Sequence, residues 1–144
     1  MGDRVPVGPL TFNVIETSWR SQLGEGLTMR TPENRFLLIA VSATNGGGHD
    51  VSVPLLSIEG SDGKIYKEQE SGEGVDRWFG LLRTVKPAQT EQGQLLFDVP
   101  LGAYRLKLSD GAESGVEHTA WVVIPLHMEP EPVLSPMPEP STGK

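Results

Sequence analysis

Residues 35–48 run Arg35-Phe-Leu-Leu-Ile-Ala-Val-Ser-Ala-Thr-Asn45-Gly-Gly-Gly48. Branched apolar side chains fill this run until it stops at a glycine-rich turn, a pattern typical of a β-strand. Leu37 and Ile39 fall on one face of such a strand, while the alternate positions are also largely apolar. Because both faces then need to be covered, we predict that this is an interior strand of its sheet.

Shorter runs of the same kind lie before and after it, and those after it are ended by Gly, Pro, Asn or Asp. Some alternate apolar and polar residues with a period of two, which indicates strands with one buried face, and the last is continuously apolar. These runs are Leu10–Val14, Val51–Leu55, Leu95–Val99, Tyr104–Leu108 and Ala120–Pro125. Asp62-Gly63 predicts a hairpin with a primed turn. The pattern as a whole predicts an all-β, immunoglobulin-like antiparallel β-sandwich.

Two segments depart from this strand pattern. Ser18–Glu33 holds glycines and a proline among polar residues, which predicts a long connection or an irregular edge strand with Trp19 and Leu27 attached to the core. Between Val75 and Leu82, apolar residues recur at the helical spacing i, i+3, i+4 and i+7. We therefore expect one short helix that caps an end of the sandwich.

The length of 144 residues and the hydrophobic content of 37% suit a single buried core. We place the sandwich domain at residues 5–126, after a flexible N-terminus at residues 1–4. Residues 127–144 are rich in proline and poor in apolar side chains, so we predict a disordered, extended tail. Its prolines lack the Pro-x-x-Pro spacing of polyproline ligands, which favours a spacer.

The composition excludes several classes of function. The chain has 12 basic and 19 acidic residues, and a net charge of −7 repels nucleic acid and anionic lipid. It has no cysteine, so it can form neither a disulfide nor a thiolate metal site. The first residues lack the features of a signal peptide, and no run is long enough to span a bilayer. We expect no membrane insertion by this chain.

Several sequence motifs occur in an order that resembles a known family. They are Val7-Gly8, Asn34–Asn45, Ile58–Tyr66 and Val85–Gly93 leading into Leu96–Pro100. Together they resemble the bacterial telokin-like immunoglobulin-type domains, a family that includes secreted mycobacterial antigens, over about residues 5–125. The resemblance implies a β-sandwich in an exported or surface-attached protein, with no established enzymatic activity and no catalytic residues to transfer. This chain departs from the pattern because it shows no leader, so the cytoplasm stays open as a location.

Residues that would support catalysis are sparse. Ser61 lies in a Gly-x-x-Gly context, but a nucleophile elbow needs a strand followed by a helix, so a hairpin tip is the better interpretation. His49, His118 and His127 have no metal-ligand spacing. We predict no enzymatic activity and no cofactor. A hydrolase in which His118, an aspartate and a serine meet in the fold remains a third hypothesis.

An acidic segment offers a weak candidate for a calcium site through Glu68, Glu70, Glu73 and Asp76. The order of acidic residues found in EF-hands is absent. A solvated acidic loop is the favoured interpretation, because charged runs usually only keep a surface hydrated.

The tryptophans and one loop bear on binding. We expect Trp78 and Trp121 in the core and Trp19 at a partly exposed edge. Trp19 and two residues of the Gly46–Asp50 loop, His49 and Asp50, are weak interaction candidates. The favoured function is a non-catalytic immunoglobulin-like module of an exported or surface-attached bacterial protein, with another protein as its partner. The alternative is an accessory domain that binds a small ligand or calcium through the acidic loop and an exposed tryptophan.

Overall fold

The computed structural model describes residues 2, 4–113 and 115–126, which form ten strands and one 3-10 turn at Gly26–Thr28. The strands are β1 (Arg4–Val7), β2 (Leu10–Arg20), β3 (Arg35–Asn45), β4 (Val51–Ser52), β5 (Ser57–Gly60), β6 (Ile65–Lys67), β7 (Thr84–Val85), β8 (Thr90–Val99), β9 (Tyr104–Ser109) and β10 (Thr119–Ile124). The predicted tail at residues 127–144, with His127, lies outside the described residues. At the N-terminus, the Gly2 N–H donates to the Val14 carbonyl at 2.9 Å, and Arg4 already belongs to β1.

The strands form two four-stranded antiparallel sheets and a small ribbon. The first sheet has the order β1-β2-β3-β8, the second has the order β10-β9-β5-β6, and β4 pairs with β7. Alternate residues of both sheets point into one shared core between them. The prediction of an all-β sandwich is confirmed.

The core is built from the alternating positions that the sequence pattern indicates. The largest fully buried side chains are Phe12, Phe36, Phe97, Leu10, Leu37, Ile39, Ile58, Leu95, Leu96, Leu106, Leu108 and Ile124. Strand β3 lies between β2 and β8, as predicted for an interior strand. Its outer face is buried too, because Phe36 and Leu38 pack with Leu23 and Leu96 beneath the loops that cross this sheet.

The predicted helix at residues 75–82 is wrong. Instead, residues 76–77 form a turn, and Trp78 after it forms an isolated parallel bridge to Gln94 of β8. The Gln94 N–H donates to the Arg77 carbonyl at 2.8 Å, and the Phe79 N–H donates to the Gln94 carbonyl at 3.0 Å. Arg77 has a φ of 58°, which no right-handed helix allows. Pairing with a free sheet edge therefore outweighs a weak helical periodicity.

The Asp62-Gly63 hairpin is confirmed, since β5 and β6 pair on either side of it. The turn is not primed, because Gly63 is its only residue with positive φ, at 85°. The Gly63 N–H donates to the Gly60 carbonyl at 3.0 Å, and the Gly60 N–H donates to the Lys64 carbonyl at 2.9 Å. This geometry matches a three-residue loop with a glycine bulge. Ser61 thus lies at a hairpin tip and not in a nucleophile elbow.

The expected exposure of Trp19 is wrong, because its side chain is only 6% exposed. Strand β2 continues to Arg20 and contains a bulge between Val14 and Glu16. The extra residue shifts by one the positions whose side chains face the core, so Trp19 lies opposite Leu37 on the core side. Simple alternation from Val14 would have placed Trp19 on the solvent side.

Tyr104 closes one end of the sandwich. Its hydroxyl donates to the Pro100 carbonyl at 2.5 Å, and its ring meets Tyr66 edge to face. Burial, with smaller contributions from Tyr66 and Asp62, raises the pKa of Tyr104 to about 12. The neutral phenol is therefore the form that the fold favours.

This pKa predicts a loss of stability in alkali. The raised pKa contributes stability that is fully present below pH 10 and is lost as the pH rises toward 12. By pH 12, the loss from Tyr104 should reach about 2 kcal/mol. Urea unfolding of the wild type and Tyr104→Phe, measured from pH 8 to 12, should show a shallower decline for the variant, whereas parallel profiles would contradict the assignment.

Candidate functional site

Glu68, the first of the predicted calcium ligands, is buried in an ion pair. Arg83 approaches it end on, with Nη2 at 2.5 Å from Oε1 and Nη1 at 2.6 Å from Oε2. The Leu56 N–H also donates to Oε2 at 2.6 Å. Both side chains have zero exposure. The carboxylate of Glu68 thus accepts three hydrogen bonds from buried protein donors, which indicates a structural role.

The remaining donors of Arg83 bind loop carbonyls. Its Nε donates to Gly80 at 2.5 Å, its Nη1 donates to Pro54 at 3.1 Å, and its guanidinium lies 5.1 Å from the centre of the Phe79 ring. The pair therefore joins the segment between β4 and β5 to both ends of the long segment between β6 and β7.

The other predicted acidic ligands, Glu70, Glu73 and Asp76, are exposed. Their neighbourhood is organised through main-chain oxygens, since Arg30 donates to the Glu73 carbonyl at 3.0 Å and Gln94 donates to the Asp76 carbonyl at 2.8 Å. Across the described residues, no three His, Asp or Glu side chains are grouped as metal ligands would be. The structure does not bring the four predicted carboxylates together.

His118 does meet an aspartate, as the hydrolase hypothesis requires. Its Nδ1 lies 3.0 Å from Asp110 Oδ2, and Ser52 lines the same shallow depression. Burial acts to raise the pKa of Asp110, but hydrogen bonds from Ala112 and His118 outweigh it and hold the pKa below its usual value. In the part of the chain that is described, His118 makes no hydrogen bond to a hydroxyl. The pair fastens the 110–118 loop instead of forming a triad.

The Gly46–Asp50 loop is held by the Asn45 side chain. Its Nδ2 donates to the carbonyls of His49 and Val85 at 2.7 and 2.8 Å, and its Oδ1 accepts from the Gly47 N–H at 2.8 Å. The interaction candidates His49 and Asp50 are exposed on this ordered loop.

A polar groove of about 440 Å³ crosses the outer face of the first sheet. Its charged lining is mixed, with Glu16 and Asp76 beside Arg20 and Arg77, over a floor that includes Ala40. Opposite charges at such close quarters largely neutralise each other. The groove thus has no dominant charge with which to select a ligand.

The outer face of the second sheet differs from every other surface described above. We call it the tryptophan face, and its residues share the solvent side of four adjacent strands. In register they form two rows, the first being Trp121, Lys107, Ser57 and Lys67 and the second Val123, Arg105, Glu59 and Ile65.

Apolar side chains on the tryptophan face are unusually open to solvent. Trp121 is 43% exposed, Val123 is 66% exposed and Ile65 is 64% exposed. The expectation that Trp121 belongs to the core is wrong, because it lies on the solvent side of an edge strand, opposite Lys107. Trp78, the other tryptophan expected in the core, is half-buried.

Cations organise this face around the indole. The Arg105 guanidinium lies 4.4 Å from the Trp121 ring centre, and the Lys107 ammonium lies 5.8 Å from it. Glu59 contacts Arg105 at 2.6 Å and is the one carboxylate in either row. Three cations, with Lys67 the third, therefore face one anion on a chain whose net charge is −7. The outward positions of Arg105 and Lys107 follow from the alternation in β9, and this is the signal that could have located the face.

Comparisons with known proteins agree with the fold. A structure from Bacillus subtilis described as "a putative lipoprotein" has a TM-score of 0.65 at 15% identity, and the match covers 85% of this chain but only 38% of that one. A functionally unknown protein from Listeria monocytogenes gives a TM-score of 0.62 at 11% identity, with coverages of 87% and 82%. The yjhA protein of Bacillus subtilis gives 0.61 at 18% identity, with coverages of 83% and 95%.

These identities support a shared fold and nothing finer. A search among curated proteins found no significant match. Within the described residues, no helix has the length and apolar character needed to cross a bilayer. At the level of sequence, a family model matches residues 1–117, and the chain accordingly belongs to the family described as "Domain of unknown function (DUF4352)".

Proposed function

We propose that this chain is a non-catalytic interaction module that binds another protein through the tryptophan face. The observation that carries the proposal is the exposed Trp121 ring, which Arg105 and Lys107 both approach within cation–π distance on an otherwise open sheet. Tryptophan and arginine are the residues most enriched among those that dominate protein–protein binding energy.

The arrangement suits recognition because the Trp121 side chain, the proposed anchor of the interface, is already ordered. A cation stacked on an indole restricts both side chains before a partner arrives, which lowers the entropy cost of association. Docking would also remove Val123 and Ile65 from water, and their burial favours binding. A sheet surface changes little in shape, so the face is presented ready to bind.

We further propose that the module works outside the cytoplasm, in an exported or surface-attached protein, and that its sandwich is of the telokin-like immunoglobulin type shared with mycobacterial antigens. The similarity to part of the Bacillus subtilis protein with "lipoprotein" in its description supports the location. The bond from the Tyr104 hydroxyl to the Pro100 carbonyl supports the immunoglobulin-like type, because it resembles the tyrosine corner of those sandwiches.

Site-specific photo-crosslinking tests the binding face. A benzophenone amino acid at position Val123 leaves Trp121 in place, and in cells of the source organism we expect it to give a discrete adduct in the envelope fraction. The matched control carries the same probe at Leu82, which is 94% exposed in the loop before β7. Adding Trp121→Ala to the Val123 probe should reduce the adduct by about tenfold or more, the size of a typical hot-spot loss.

Equal labelling from the two probe positions would refute the proposed face. An adduct that forms equally well with Trp121→Ala would show that the indole is not the anchor.

A further inference from the structure

Three of the four edge strands of the two large sheets are protected. Strand β1 has only four residues and contains Pro6, and β6 has three residues, ends at Lys67 and is preceded by Lys64. The edge of β8 is covered by residues 77–79, which hydrogen-bond to Gln94. Short strands, proline, lysine and covering segments are the usual means by which proteins prevent unwanted strand pairing.

The fourth edge, β10, lies near β1, but no backbone hydrogen bond joins these two strands among the described residues. Thr119–Ile124 has six residues, with neither a charge nor a proline, and its sequence Thr-Ala-Trp-Val-Val-Ile is strongly β-forming. One side of β10 pairs with β9, and no described strand pairs with the other side. Its free backbone groups form a ready template for an incoming strand.

Side chains beside this open edge favour one kind of incoming strand. The guanidinium of Arg105 lies over the ring of Trp121, so a positive charge that belongs to β9 is positioned next to β10. Lys107 also approaches the same indole. Because the rest of the chain is strongly acidic, these cations make the edge a local site of attraction for carboxylates.

We infer that β10 accepts an extended acidic segment of a partner protein as a fifth strand of the second sheet. Backbone hydrogen bonds to the free edge would supply affinity, and carboxylates placed beside Arg105 and Lys107 would supply selectivity. This inference rests on the proposed function and specifies the chemistry of the partner.

Fluorescence anisotropy on the full chain tests it with three labelled decapeptides. The first alternates glutamate and valine, the second alternates lysine and valine, and the third repeats the first with its central backbone nitrogens methylated. We expect the acidic peptide to bind about tenfold or more tightly than either of the others, because one lacks carboxylates and the other lacks backbone donors. Hydrogen exchange should also slow at the β10 amides when the acidic peptide is present.

Two charge reversals provide matched variants. Lys107→Glu should weaken binding of the acidic peptide by about tenfold. Lys86 is an exposed lysine after β7, and Lys86→Glu should change the affinity for this peptide by less than about twofold. Equal binding of the methylated peptide would overturn strand addition, and equal binding of the basic peptide would overturn the acidic partner. If none of the peptides binds but the crosslinked adduct at position 123 still forms, this inference alone is overturned. If that adduct does not form, the proposed function is overturned.

Discussion

Replacing Glu68 by alanine should lower the free energy of unfolding by about 3–5 kcal/mol, because it leaves the Arg83 guanidinium buried without its counter-charge. The Leu56 N–H loses its acceptor at the same time. A buried cation that has lost its partner costs far more than the pair itself contributes. Urea unfolding followed by tryptophan fluorescence measures the change.

The tryptophan face offers a matched control for this prediction. Glu59 and Arg105 form an ion pair of similar length, 2.6 Å, but their side chains are 24% and 52% exposed. Glu59→Ala should therefore cost less than about 1 kcal/mol. A double variant with Glu68→Met and Arg83→Met should recover much of the lost stability, since no unpaired charge remains. A Glu68→Ala loss no larger than that of Glu59→Ala would contradict the structural role of the pair.

Gly93→Ala should destabilise the fold by about 1–3 kcal/mol, as expected for overpacking against a rigid backbone. A Cβ at this position would lie 2.7 Å from the Phe79 Cα and 2.9 Å from the Phe79 nitrogen. The covering segment at residues 77–79 would have to move away, breaking its bonds to Gln94. The edge of β8 would then be exposed, so the variant should also aggregate faster.

Gly48→Ala is the control for the loss of a glycine. Nothing lies within 4 Å of a Cβ built at Gly48, so its unfolding free energy should change by less than about 0.5 kcal/mol. Comparable losses for Gly48→Ala and Gly93→Ala would show that the contact with Phe79 is not the cause. Light scattering during thermal unfolding measures the aggregation that should distinguish the two variants.

Much of the fold follows from local pattern. The run at residues 35–45 predicts an interior strand because both of its faces are apolar, and Asp62-Gly63 predicts a hairpin because glycine permits positive φ. The helix predicted over residues 75–82 fails for a non-local reason. Its backbone groups find partners on β8, and a spacing of four apolar residues contains no information about that edge.

The candidate site was harder to predict, because it depends on which face of each strand points outward and on which segments contact each other. Trp19 was expected to be partly exposed but is buried, because of the bulge in β2. Trp121 was expected to be buried but is exposed, because it lies on β10 at the edge of its sheet. Glu68 looks like part of a solvated acidic run until Arg83, fifteen residues away, is placed against it. Each of these outcomes depends on a contact between segments that are distant in the sequence.

The bulge in β2 has a consequence for how relatives of this chain can differ in length. Ile15 is the supernumerary position, so a lineage that lost it would keep Val14 and Thr17 facing inward and would merely straighten the strand. Loss of a neighbouring core-facing residue, such as Val14, would instead leave a hole in the interior. Gaps in an alignment of the family should therefore collect at this single position and be rare along the rest of the strand.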